Sequence, residues 1–125
     1  MKTITQIFLG LMALAFVKVG IETLIDPRAV LSQVGIVLDN SSALSSMRAV
    51  YGGMHLAFGI FCVYGILKDV QTSLILVLLY TSGFVIGRLS GILLDGSPNS
   101  FVVIWLITES ASIAIALFLL VKIRS

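Results

Sequence analysis

The chain has 125 residues, of which 58% are hydrophobic and 11% charged, and its mean hydropathy is +1.13. Soluble domains carry about 25% charged residues, so a soluble chain of this size could not cover so much apolar surface. A net charge of +2 without a basic tail gives no indication of a nucleic-acid partner. The composition therefore predicts a single-domain integral membrane protein.

Four apolar segments follow one another along the chain, at about residues 3–25, 46–67, 72–94 and 100–121. Each is close to the ~20 residues that a helix needs to cross a bilayer core. Only helices satisfy their own backbone groups in lipid, and the sequence lacks the alternation typical of barrel strands. We therefore predict an all-α bundle of four membrane-spanning helices. The first segment could also be a signal peptide, but Lys18 and Glu22 occupy the region where cleavage would fall, so we expect a retained helix.

Two of the three connections are short. Residues 68–71 and 95–99 predict antiparallel hairpins between neighbouring helices. The connection over residues 26–45 is longer, and its opening Asp26-Pro27 is typical of a helix start. This pattern predicts a short amphipathic helix that lies at the membrane surface or over the mouth of the bundle.

Basic residues of the loops and termini lie mostly on one side of the predicted membrane. That side carries Lys2, Lys68, Lys122 and Arg124, whereas the other carries only Arg28. Because basic residues favour the cytoplasmic side, we expect both termini in the cytoplasm. We call the half of the bundle next to the 26–45 connection the outer half, after this predicted orientation.

Ionisable side chains inside the spanning segments are clustered by depth. At 1.5 Å of rise per residue, all of them fall in the outer half or at the midplane: Lys18, Glu22, Arg48, His55, Arg88 and Glu109. Intramembrane charges usually mark function, so we predict a ligand site formed by these residues. We expect Glu22 to pair with Arg48 and Glu109 with Arg88. Three cations against two anions would leave a positive surplus that favours an anionic or electron-rich ligand group.

The same residues also have purely structural interpretations. Lys18 is long enough to reach the membrane interface, Glu22 and Arg48 could form a structural pair, and His55 could be a hydrogen-bonded core histidine. The tyrosines and Trp105 are typical of interfacial or packing aromatics. One His and one Cys without ligand-like spacing predict no metal site. No catalytic residue and no cofactor can be named.

Small residues recur at helical spacing in the second and third segments. We predict that they are helix-packing positions, either within the chain or in a homodimer: Gly52, Gly53, Gly83, Gly87 and Gly91.

Three motifs together resemble the signature of a bacterial four-helix membrane family catalogued as a domain of unknown function. They are Arg48–Gly59 (RAVYGGMHLAFG), Gly87–Gly91 (GRLSG), and Asp95-Gly96 with Pro98, followed by Glu109. The resemblance covers nearly the whole chain, and the family is similar in architecture to the broader DoxX-like group. Some members of that group are linked to quinone-coupled oxidation of sulfur compounds. The resemblance implies the fold and a bacterial inner membrane, but no reaction.

Three functional classes remain open from the sequence. The first is a protein that binds a lipid, quinone or other amphiphile in the outer half. The second is a small-molecule transporter that uses a membrane carboxylate, Glu109 or Glu22. The third is a subunit of a membrane redox enzyme, with acid–base groups supplied by His55, Arg88 and Glu109. A structural or assembly role without a ligand is a further alternative.

Overall fold

A computed structural model describes residues 1–124 of the chain. The helices are α1 (Lys2–Ile25), α2 (Pro27–Ser32), α3 (Ser41–Leu67), α4 (Val70–Asp95) and α5 (Ser100–Arg124). All except α2 are long and apolar enough to cross a membrane. These features confirm the predicted all-α four-helix bundle, and the chain is a multi-pass membrane protein.

Polar side chains fix where the helices begin. Four of them accept a hydrogen bond from a backbone N–H three residues later, which satisfies a donor at the helix start: the pairs are Asp26–Ala29, Asn40–Ala43, Asp69–Thr72 and Asn99–Val102. The cap at Asn40 starts α3 at Ser41 rather than at the predicted residue 46. At the start of α4, hydrogen bonds from the Thr72 hydroxyl and backbone N–H lower the pKa of the Asp69 carboxyl.

The bundle consists of two helix pairs, α1 with α3 and α4 with α5. The first pair is very close because glycines line its contact. A Cβ added at Gly20 would lie 2.8 Å from the Gly52 carbonyl oxygen, and one at Gly59 would lie 2.6 Å from Val17 Cγ2. Gly52 packs in the same way against Leu24. Small residues thus bring these two backbones together, as is common in membrane bundles.

The two pairs join in the inner half of the bundle, the half that contains the α3–α4 connection. A cluster of buried apolar residues from all four spanning helices fills this half: Phe8, Leu9, Ala13, Cys62, Leu74, Val77, Ala116, Leu119 and Leu120. Leu9, Leu74 and Val77 are fully buried. The inner half is therefore tightly packed.

A π-helical segment interrupts α3 at Arg48–Gly53. A π turn closes its hydrogen bonds over five residues instead of four, so the face that follows it is rotated relative to the face before it. Gly52, His55 and Gly59 are buried against the bundle, whereas Arg48 is exposed. The sequence spacing of Arg48, Gly52, His55 and Gly59 would place all four on one helical face, but only Gly52, His55 and Gly59 share the buried face.

Candidate functional site

In the outer half, the two helix pairs enclose a cavity of about 250 Å³. Every spanning helix contributes to its lining, and so does the segment around α2. Representative lining residues are Phe16 of α1, His55 of α3, Thr81 of α4, Glu109 of α5, and Leu31 of α2. The cavity lies above the packed inner half and contains most of the ionisable residues that the sequence singles out.

An ion pair between Arg88 and Glu109 forms one wall of the cavity. Arg88 Nε lies 2.8 Å from Glu109 Oε1, and Arg88 Nη2 lies 3.3 Å from Glu109 Oε2. The two side chains are only 16% and 13% exposed. The guanidinium also lies 5.6 Å from the centre of the Phe84 ring. This two-bond geometry neutralises both charges inside the apolar bundle, and it matches the predicted pairing.

The predicted pairing of Glu22 with Arg48 is wrong. Glu22 instead accepts a hydrogen bond from Lys18 at 3.0 Å, because the two residues lie four apart on one face of α1. Arg48, which precedes the rotated face of α3, donates to the Leu24 carbonyl at 3.0 Å. Lys18 and Glu22 line the cavity at its rim with side chains 68% and 51% exposed, whereas Arg48 does not line it.

This arrangement changes the charge of the site. The cations that line the cavity are Lys18 and Arg88, and each is paired with an anion, Glu22 or Glu109. The positive surplus predicted for the cluster is therefore not present in the cavity lining. The electrostatic preference for an anionic ligand group disappears with it.

His55 lies at the centre of an aromatic cluster. The rings of Phe16, Tyr51, Tyr80 and Phe84 have their centres 5.5–5.9 Å from the imidazole. His55 Nδ1 lies 3.3 Å from the Val50 carbonyl oxygen and 3.2 Å from Tyr80 Oη. A carbonyl can only accept, so a protonated Nδ1 donates to the Val50 carbonyl or to Tyr80 Oη, and an unprotonated Nδ1 accepts a hydrogen bond from the Tyr80 hydroxyl. The cluster thus holds a polar ring and a phenol against flat apolar faces.

Thr81 supplies the least expected feature of the cavity. The residue is 5% exposed, and its hydroxyl oxygen is buried without a hydrogen-bond partner among the described residues. Threonine in a membrane helix usually satisfies its hydroxyl through a carbonyl one turn earlier, as Thr5 and Thr23 do here. A buried hydroxyl without a partner is unfavourable in apolar surroundings. Thr81 also belongs to the cavity lining, so its hydroxyl is an unsatisfied polar group in the wall of the cavity.

Several cavity residues could not be found from charge alone. Phe16, Thr81 and Phe84 carry no charge, and nothing in their spacing separates them from packing residues. Tyr51, Tyr80 and Trp105, which the sequence suggests are interfacial or packing aromatics, also line the cavity. Their position follows from the way the helix pairs meet, which is a tertiary property.

The glycines of α4 do not pack against any described part of the chain. A Cβ added at Gly83, Gly87 or Gly91 would meet no atom within 4 Å. Gly53 likewise has only a carbonyl of its own helix nearby, at 4.0 Å. These positions therefore make no close contact with another helix among the described residues. Packing of the edge against a second copy remains a prediction.

The fold and the cavity define a class: a four-helix membrane protein with a partly polar cavity enclosed in the outer half of its bundle. The chain belongs to the DUF4345 family, a domain of unknown function, whose model matches residues 4–120. The match includes every residue of the cavity lining. No curated protein and no solved structure matches the chain.

Proposed function

We propose that the protein binds the polar head of a neutral membrane amphiphile in the outer-half cavity. The unpartnered hydroxyl of Thr81 is the observation that carries the proposal. A buried polar group without a partner is retained at a cost to stability, and a ligand head that bonds it would remove that cost. The ion pair and the aromatic cluster line the same cavity as Thr81 and could hold the same head.

The lining favours a flat, uncharged head with a carbonyl or hydroxyl group. Charges in the lining are paired, so a charged head would be buried without a counter-charge. The rings of Phe16, Tyr51 and Phe84 offer faces and edges against which another ring can stack. Among a lipid, a quinone and other amphiphiles, a quinone or quinol ring fits this lining best.

The size of the cavity limits what it can enclose. At about 250 Å³ it is smaller than the ~300–1,000 Å³ typical of sites for whole drug-sized ligands. One ring with small substituents is therefore the largest head that we expect it to hold.

The other functional classes have weaker support. Transport needs a path through the inner half, which is filled by fully buried side chains such as Leu9, Leu74 and Val77. A redox role needs an electron donor or acceptor from a partner. The hydrogen bond between Tyr80 and His55 is the feature that would serve it, by supplying a proton near a bound carbonyl.

The proposal also includes the location of the protein. We expect a bacterial inner membrane, on the resemblance, and cytoplasmic termini, on the loop charges. Lys2, Lys68 and Lys122 lie at the inner end of the bundle, and Arg124, whose side chain lies outside the described residues, follows them in sequence. In this orientation the cavity lies in the half of the membrane that faces away from the cytoplasm.

Trp105 provides a direct test, because it is the only tryptophan of the chain and lines the cavity. A tail-free benzoquinone titrated into the protein in nanodiscs should quench its fluorescence with saturation. Ala15→Leu, which adds a side chain to the cavity wall, should weaken binding at least about tenfold. Ala111→Leu, at an exposed position of α5, is the matched control and should bind as the wild type does. Quenching that does not saturate, or that is equal in all three proteins, would contradict the proposal.

A further inference from the structure

The outer mouth of the cavity is covered by the segment around α2. Leu31 is fully buried, and Val30 and Val34 beside it also line the cavity. The Asn99 side-chain amide donates to the Gln33 carbonyl at 3.0 Å, which ties this segment to the start of α5. The outer end of the cavity is therefore covered, and the open rim beside Lys18 and Glu22 is charged and unsuited to a hydrocarbon chain.

A groove of about 920 Å³ runs along α4 on the side of the helix that carries Gly83, Gly87 and Gly91. It shares part of its wall with the cavity, namely Val34, Tyr51, Tyr80, Phe84 and Arg88. The two spaces are therefore separated only by these side chains.

A second, apolar space lies next to the groove. This crevice of about 540 Å³ lies between α3 and α4 and is lined by Val50, Met54, Phe58, Leu76, Leu79 and Tyr80. Tyr80 borders the cavity, the groove and the crevice. The three spaces therefore adjoin at this side chain, between the polar site and the lipid-facing side of the bundle.

We propose that the hydrocarbon tail of the bound amphiphile lies in the groove and the crevice between α3 and α4, and that the ligand enters from the bilayer through these two spaces. The inference rests on the proposed function, because it places the tail of the molecule whose head occupies the cavity. Three observations carry it: the cavity is too small for a tail, its outer end is covered, and the groove shares its wall. The crevice lining of aliphatic and aromatic side chains suits a tail.

The glycines of α4 then have a function that intrachain packing does not explain. Their missing side chains leave the groove floor flat, so that a tail can lie along the helix. A leucine there would fill the groove without meeting any described atom at its Cβ. A second copy of this chain could also use a glycine edge for close packing. The shared wall with the cavity favours the tail, and the test separates the two occupants.

The test uses two probes with the same head, a tail-free benzoquinone and the same ring with a decyl tail, titrated as mole fractions of nanodisc lipid. Binding is followed by quenching of Trp105. For the wild type we expect the decyl form to bind about tenfold more tightly. Gly83→Leu, in the groove lining three residues after Tyr80, should reduce that ratio to within about twofold and leave the tail-free probe unaffected. Ala111→Leu should keep the wild-type ratio.

Each other outcome overturns a defined part of the account. If neither probe binds the wild type, the proposed function fails, and the placement of the tail fails with it. If both probes bind and Gly83→Leu keeps the tenfold ratio, the head site stands and the tail placement is wrong. If Gly83→Leu keeps the ratio and changes the oligomeric state measured by light scattering, the groove holds a second copy instead. Stability of the variant, measured by circular dichroism, guards against a folding defect.

Discussion

Replacing one partner of the Arg88–Glu109 ion pair should cost as much stability as replacing both. The relevant variants are Arg88→Gln, Glu109→Gln and the double replacement. Each single change leaves one charge without its partner inside the bundle, with side chains that are only 16% and 13% exposed. The double change leaves two uncharged amides that can bond each other across the same gap.

The structure sets the scale of the effect. Removing one partner of a buried pair costs about 3–5 kcal/mol, and we expect about 3 because some exposure remains. The double variant should lose no more stability than either single variant, about 3 kcal/mol. The coupling free energy is then about 3 kcal/mol, at the upper end of the range for residues in contact. The control cycle Lys18→Gln with Glu22→Gln should give about 0.5 kcal/mol or less, because that pair is more than half exposed.

Equilibrium unfolding in mixed micelles, with increasing sodium dodecyl sulfate and far-ultraviolet circular dichroism as the signal, would measure both cycles. Similar couplings in the two pairs, or a coupling below about 0.5 kcal/mol for Arg88 and Glu109, would refute the reasoning. Either result would mean that water reaches the Arg88–Glu109 pair and that the cavity is not enclosed.

Three further predictions follow from particular contacts. Thr81→Val should leave the free energy of unfolding of the unliganded protein unchanged or raise it by up to about 1 kcal/mol. Thr23→Val loses a 2.7 Å hydrogen bond and should lower the free energy of unfolding by about 0.5–1.5 kcal/mol in the same assay. Gly20→Ala should destabilise the protein by about 1–3 kcal/mol, because the added Cβ meets the backbone of α3. Gly87→Ala should stabilise the protein by up to about 1 kcal/mol, because alanine favours the helix and its Cβ meets no atom. Asn99→Asp keeps the cap of α5 but loses the bond to the α2 segment, so amide hydrogen exchange should rise over residues 27–38 with α5 unchanged.

Each of these has a clear contrary result. Equal loss of stability at Thr81 and Thr23 would mean that the Thr81 hydroxyl has a partner. Equal effects at Gly20 and Gly87 would mean that the two glycine edges have similar neighbours. Faster exchange in α5 but not over residues 27–38 would mean that Asn99 acts only as a cap.

Local patterns in the sequence were sufficient for the elements of the fold. The apolar segments gave the four spanning helices because each is near the length of a bilayer crossing. The Asp26-Pro27 pair predicted α2, and short polar stretches predicted the hairpins. The clustering of charges by depth also placed Arg88, Glu109 and His55 in the half of the bundle that contains the cavity.

Local sequence patterns could not predict which side chains of different helices contact each other. The π turn of α3 rotates the helix after Arg48, and no periodicity in the sequence indicates it. The glycines of α4 have the spacing of a packing motif, yet Gly20, Gly52 and Gly59 make the close contact instead. Spacing identifies an edge without side chains, but only the arrangement of neighbouring helices decides what lies against it.

Native mass spectrometry of the full chain, released gently from the membranes in which it was expressed, tests the central claim most directly. The wild type should retain a small noncovalent adduct of uncharged amphiphile character. Ala15→Leu, which fills the cavity, should lose that adduct, and Ala111→Leu should keep it. A wild type that carries no adduct, or an adduct that Ala15→Leu retains to the same extent, would contradict the claim that the outer-half cavity is a ligand site.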